Sequence, residues 1–288
     1  ENISNLFKWM ELDTSHREDY CLVIPYRDTM GNLAGFYGRI TGNLKDGEKD
    51  KYKPLTEVEK LKDNLFNLHK ARKEKRLTIV EGYLDALIAS ARGIKGVVAT
   101  GGSTLTKTQF ENLAKHGFKY LVLSLDNDKA GNEGTERSIK LLSHSNLKVF
   151  IAELPLIFKD PDELIKQEGG DRYKNIIEAA QNSGKWMANH LISKFDLQND
   201  QDKEKLLEAV LDYDSSLPVS KAHEGEDFLK IIAEKTDYSL EVLIAESEKI
   251  QERKLREAEV IGYKLLLQDS SKLLEQDKIS ELRETLLE

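Results

Sequence analysis

Cysteine is nearly missing from this chain: Cys21 stands alone among 288 residues. One thiol makes no internal disulfide and no multi-cysteine zinc site, and beside Leu22 and Val23 it reads as a small buried apolar side chain. Long apolar runs are absent as well. No window approaches eighteen uninterrupted apolar residues, and the first segment, ENISNLFKWMELD, lacks the basic-then-apolar order of a signal peptide. Neither membrane insertion nor export is expected, and the chain reads as cytoplasmic. It starts with Glu rather than Met, which suggests that a longer parent was cut or processed. What is present is an ordinary soluble composition, 39% hydrophobic and 33% charged, enough to build cores for one large domain or two to three small ones.

A net charge of -8 argues superficially against a nucleic-acid partner, but the charge is unevenly spread. Residues 185–288 hold 15 Lys and Arg against 24 Asp and Glu, whereas residues 1–184 hold 28 against 27. Within the nearly neutral part, KYKPLTEVEKLKDNLFNLHKARKEKR (51–76) carries nine basic side chains against four acidic ones. Such a segment suits either a phosphate backbone or a solvated helix face.

The hydrophobic pattern divides the chain. Residues 20–40 read as two strands around a turn built on Gly31 and Asn32. From Leu77 short apolar runs alternate with helical periods: LTIVEG, a helix near 83–92, KGVVATGG, a helix near 107–116, KYLVLSLDND, a helix near 131–143, and KVFIAELP. That alternation implies a mostly parallel sheet covered by helices, with ligands collecting at the carboxyl ends of its strands. After Pro161 apolar residues recur three and four apart, as in Leu206, Leu207, Val210 and Leu211, which predicts a small helical bundle followed by an extension. The final stretch suits packing on that bundle or docking on a partner. Trp9 and Trp186 read as packing residues.

Acidic residues fall where the predicted strands end. Glu81 closes LTIV and Asp85 follows it; Asp126 and Asp128 close YLVLSL; Asp160 and Asp162 lie in KDPDE after the last strand. Two aspartates one residue apart repel each other unless something positive sits between them. Oxygen ligands without His or Cys nearby favour Mg²⁺ or Mn²⁺ over zinc, and Gly82 and Gly131 allow tight turns and close approach of a phosphate. Strand-end acids also cap helices, and DPDE makes an ordinary helix start.

The segments EGYLDAL (81–87), ATGGSTLT (99–106), LDNDKAGNEG (125–134) and DPDELIKQEG (160–169) resemble the successive motifs of the Toprim domain of bacterial DnaG-type DNA primases. Upstream, IPYRDTMGNLAGFYGRI (24–40) resembles the family segment P-x-R-D-x-x-G-x-x-x-G-F-x-G-R, and KYKPL (51–55) resembles K-Y-x-N-S. The resemblance covers about residues 20 to 182. Departures are Tyr26 in IPYRD, Pro54 after Lys53 in place of Asn, and Lys129 where an arginine is common. Topoisomerases, which share Toprim, usually carry an acidic residue at the position of Ala130.

The resemblance implies an α/β fold: a mostly parallel Toprim sheet flanked by helices over 77–184, a small N-terminal α+β subdomain over 1–76, and a C-terminal helical bundle and extension over 185–288. It implies synthesis of short RNA primers on single-stranded DNA from ribonucleoside triphosphates, with Mg²⁺ or Mn²⁺ and no zinc bound by these residues. Glu81, Asp126 and Asp128 match the catalytic, metal-binding acids, extended by Asp85, Asp160 and Asp162. Arg39, Lys51, Tyr52, Lys53 and Lys129 match the template and nucleotide path, and Gly101 and Gly102 a loop that approaches nucleic acid. A replicative helicase, separate or fused, is the implied protein partner. A Toprim nuclease and a non-catalytic scaffold holding DNA and helicase are the alternatives.

Overall fold

The computed structural model describes residues 20–40, 52–55, 63–143, 145–257 and 259. Trp9, Lys51 and the final stretch beyond 259 lie outside the described residues, as do the side chains of Cys21 and Lys53. Two compact units divide between Met187 and Ala188.

The first unit holds two sheets. Strands β1 (Tyr20–Arg27), β2 (Leu33–Ile40) and β3 (Tyr52–Pro54) form an antiparallel meander. Its first turn is fixed by Asp28, whose carboxylate accepts the backbone N–H groups of Met30 and Asn32 at 2.9 Å, while Gly31 takes φ +94°. The second sheet contains β4 (Arg76–Val80), β5 (Val97–Ala99), β6 (Tyr120–Leu123), β7 (Lys148–Ile151) and β8 (Gln181–Asn182) in the order β5-β4-β6-β7-β8. The first four are parallel and β8 is antiparallel to β7. Leu77, Ile79, Val80, Val97, Val98, Leu121, Val122 and Leu123 are fully buried. Continuous apolar strands of this kind are stable only with both sheet faces covered.

Among the described residues the helices run in the order α1 (Leu68–Ala71), α2 (Tyr83–Ala91), α3 (Lys107–Ala114), α4 (Lys129–Ser143), α5 (Pro161–Glu168), α6 (Gly170–Glu178), α7 (Ser183–Lys194), α8 (Asp200–Ser215) and α9 (Ala222–Lys235). A further helix runs over 240–257. Helix α4 begins two residues before the apolar spacing predicts. Asp128 caps it, its Oδ1 accepting the Gly131 N–H at 2.9 Å, and this moves the start to Lys129. Trp186 is 4% exposed, in keeping with a packing role. None of the described helices is long and apolar enough to cross a membrane.

Chain direction across the second sheet sets the site. From β4 the chain goes outward to β5, then crosses back to β6 on the other side of β4. The reversal opens a crevice at the carboxyl ends of β4 and β6. Tyr26 and Tyr37 of the meander pack there against Phe66 and Tyr83, with ring centroids 5.0 to 6.1 Å apart.

In the second unit, Leu206, Val210, Phe228, Ile232 and Leu243 are buried, and Tyr213 meets Phe228 edge-on at 4.8 Å. Asn199 starts α8 by accepting the N–H groups of Gln201 and Asp202.

Candidate active site

Glu81 follows β4 directly, and its Oε1 reaches across the strand ends to accept the Asp126 N–H at 3.0 Å. That bond turns the loop after β6 toward the loop after β4. Gly131 makes the approach possible: a Cβ there would lie 2.0 Å from the Asp126 carbonyl oxygen and 3.0 Å from Glu81 Oε1. The glycine therefore makes room for the protein's own strand-end loop, a different reason from the phosphate approach that the sequence suggests. Gly101, at φ +74°, brings the ATGG loop against Tyr83, where a Cβ would fall 2.5 Å from the phenol oxygen.

One open cleft of about 300 Å³ is lined by Arg39, Tyr52, Glu81, Asp85, Gly101, Gly102, Asp126, Asp160 and Asp162, together with Gly82, Tyr83 and Leu84. Nine of the thirteen site residues expected from sequence thus share one space. Asp128 stands at its flank, with Oδ2 3.8 Å from the Lys159 ammonium. Lys129 points into solvent, its side chain 92% exposed and 4.0 Å from Glu133.

The acids differ in what else they do. Asp85, 6% exposed, accepts the Gly82 N–H on Oδ2 and the Asp162 N–H on Oδ1, both at 3.0 Å. It ties the loop after β4 to the start of α5. Asp160 caps α5 by accepting the Glu163 N–H at 2.8 Å. Asp162 binds the Lys166 ammonium at 2.6 Å through Oδ2, while its Oδ1 is buried without a hydrogen-bond partner. On the facing wall the Arg39 guanidinium donates to the Tyr52 hydroxyl and lies 5.1 Å from the Tyr52 ring centroid.

Three of these carboxyl groups, Asp126, Asp85 and Glu81, resist ionisation in the half-closed space. Burial, then the neighbouring Glu81, Asp85 and Asp160, push Asp126 up to about 8. Burial, then Asp160, push Asp85 up to about 7. Glu81 is raised by burial, with the Asp126 N–H working against the shift. Positive charge is what this cleft is short of.

The donors suit a hard divalent cation, being all oxygen and including one buried oxygen without a partner. Among the described residues no three His, Cys, Asp or Glu side chains are gathered closely enough to form a metal-binding group. Mg²⁺ sites in general keep several waters and commonly take one or two carboxylates plus substrate phosphates. No zinc site of Cys or His occurs among the described residues.

Sequence reasoning missed Tyr83, Lys159 and Asn127. Tyr83 joins the cleft to the aromatic cluster, meeting Tyr52 edge-on at 5.1 Å, and its place between Gly82 and Asp85 was the available signal. Lys159 is adjacent to Asp160, but nothing in the sequence pairs it with Asp128. Tyr26, a departure from the family segment, is core: it is 2% exposed, its hydroxyl donates to the Asn64 carbonyl at 2.5 Å, and burial raises its pKa.

The fold and this row of strand-end acids define a Toprim-type domain, and a Toprim-like family model matches residues 78–165. A DNA primase of Listeria innocua is 30% identical over 230 residues, 77% of this chain and 36% of that protein. The Aquifex aeolicus primase structure with zinc-binding and RNA polymerase domains superimposes with a TM-score of 0.60 at 27% identity, covering 77% of this chain and 53% of that one. A DnaG primase catalytic domain bound to single-stranded DNA shares the fold, with a TM-score of 0.61 at 23% identity over 79% of this chain and 77% of that one. The chain belongs to the bacterial DnaG-type primase family. It spans about a third of the length of the curated relatives it matches.

Proposed function

We propose that this chain is the polymerase core of a cytoplasmic DNA primase, joining ribonucleoside triphosphates into short RNA primers on a single-stranded DNA template. The observation that carries the reading is the cleft in which Glu81, Asp126, Asp160 and Asp162 face Arg39 and Tyr52. In this reading residues 77–184 are the catalytic Toprim domain, 1–76 an N-terminal α+β subdomain, and 185–288 a C-terminal helical subdomain and extension. A replicative helicase is the proposed protein partner.

Glu81, Asp126 and Asp128 would hold Mg²⁺ or Mn²⁺, with Asp160 and Asp162 extending the set. A divalent ion would supply charge that lowers the pKa of a ribose 3′-hydroxyl and offsets charge on pyrophosphate. Asp85 orients the two loops that carry these acids. Arg39, with Lys51 and Lys53, neutralises template or nucleotide phosphates, Lys129 and Lys159 do so at the flank, and Tyr52 holds the Arg39 guanidinium in place. Gly101 and Gly102 leave the loop after β5 without side chains where the strand passes. The alignment of hydroxyl and α-phosphate supplies the rest of the acceleration.

The test is incorporation of labelled ribonucleotides on single-stranded DNA, with Mg²⁺ or Mn²⁺, from pre-annealed and unprimed templates. Extension by the wild type that disappears in Asp126→Ala supports the reading. Shortened DNA identifies a nuclease, and DNA binding without turnover identifies a scaffold.

A further inference from the structure

Asn127 sits between the two acids of the LDNDKAGNEG motif, yet its side chain serves another loop. Its Nδ2 lies 3.4 Å from the carbonyl oxygens of Leu154, Pro155 and Phe158, and its backbone N–H donates to the Lys159 carbonyl at 2.7 Å. The Phe158 N–H closes the turn on the Pro155 carbonyl at 2.9 Å, and the Phe158 side chain is anchored in the core at 2% exposure. Between these anchors, Leu156 and Ile157 are 93% and 76% exposed.

Two adjacent branched apolar residues at the tip of a pinned turn contribute nothing to the core, and a pinned turn is no loose loop. Such a feature marks a contact surface. Its position says which contact. Two residues on, Lys159 reaches Asp128, and one residue further Asp160 lines the carboxylate cleft. Lys129, adjoining Asp128, is exposed. Lys159 and Lys129 each lie near one carboxylate, Asp128 at 3.8 Å and Glu133 at 4.0 Å, at distances a phosphate can compete for; an apolar tip beside them matches the two faces of a nucleic-acid strand, bases against the tip and phosphates against the ammonium groups. Because the turn is already fixed, little ordering opposes binding.

We propose that Leu156 and Ile157 are substrate-positioning residues that pack against the bases of the nucleic-acid strand at the rim of the cleft. The proposal deepens the polymerase reading and rests on it for the identity of the strand. Its test does not require turnover. Binding of a fluorescent oligothymidylate is compared with binding of an abasic oligomer of equal length and charge, for wild type and for the double variant Leu156→Ser with Ile157→Ser.

The wild type should prefer the base-bearing oligomer, and the variant, losing partial burial of two aliphatic side chains, should bind it about tenfold more weakly. Affinity for the abasic oligomer, its salt dependence and the melting temperature should stay unchanged, and Leu156→Met with Ile157→Met should restore the preference. In extension assays the same loss should appear in KM for primed template and not in kcat. Equal losses on both oligomers, no loss, or a wild type indifferent to bases would overturn the inference; an unaffected DNA affinity would hand the tip to a protein contact. Base-dependent loss without polymerisation on any template would refute the polymerase reading alone.

Discussion

At the scale of single residues, the acids of the cleft divide into those that suffer from one another and those that hold the fold, and two substitutions separate them. Asp126 carries a folded-state pKa raised to about 8, against an ordinary 3.8. The folded protein therefore binds a proton that the unfolded chain has released. The resulting stability is fullest below the ordinary carboxylate pKa and is lost as pH climbs through about 8. In chelator, the melting temperature should fall between pH 5 and pH 9, and Asp126→Asn should flatten that fall and melt higher than wild type at the alkaline end. The same variant should lose at least about a hundredfold in extension rate. Asp85→Asn should do the opposite to stability. Both Asp85 oxygens accept backbone N–H groups, so an amide nitrogen at either place leaves a buried donor facing a donor, at a cost of about 1–3 kcal/mol. Urea unfolding of the two variants at pH 8 checks the contrast; destabilisation by both would remove the distinction. The strand-end positions of Glu81 and Asp126 were legible in the sequence, because each follows an apolar run. The bonds of Asp85 were not, since they depend on Asp162, 77 residues away.

At the scale of elements, most of the architecture follows from local pattern. Alternating apolar runs and helical periods mark β4 to β7 and the helices between them, and the meander's first turn follows from Gly31 and Asn32. Short elements were less legible. Strand β3 has three residues and β8 two, lengths at which pairing partners rather than periodicity decide. Helix α1, four residues after a left-handed Asn67, is held by Asn67 Nδ2 donating to the Val97 carbonyl at 2.9 Å, a contact no local pattern announces. The packing of α4 against the end of β6 yields a further prediction. By helix propensity alone, Gly131→Ala should stabilise α4 by up to about 1 kcal/mol. The added methyl would meet the Asp126 carbonyl oxygen at 2.0 Å, and overpacking costs about 1–3 kcal/mol. The clash wins. Gly131→Ala should melt lower than wild type and lose extension activity, because any relief moves α4 away from the loop carrying Asp126. An unchanged melting temperature with full activity would contradict this.

At the scale of the whole molecule, charge decides how nucleic acid is held. A net charge of -8, with 24 acidic against 15 basic residues over 185–288, provides no general attraction for DNA. In the proposed reading nucleic acid is held by a few local cations: Arg39, Lys129 and Lys159, together with Lys51 and Lys53, whose side chains lie outside the described residues. Each phosphate neutralised on a single strand contributes about -0.7 to the slope of log K against log salt. Five such contacts set a limit near -3.5 on the same principle, well short of the slopes of strongly basic DNA-binding proteins. Arg39→Gln should lower the slope by about 0.7 and weaken all template sequences alike, because a phosphate contact carries no base information. Tyr52→Phe should leave the slope unchanged, since it removes the hydroxyl that holds the guanidinium but no charge; a loss of affinity at constant slope would mark Tyr52 as an orienting residue. Anisotropy titrations of a labelled single strand between 50 and 300 mM salt measure both quantities. A wild-type slope much steeper than the limit would place further phosphate contacts outside the cleft.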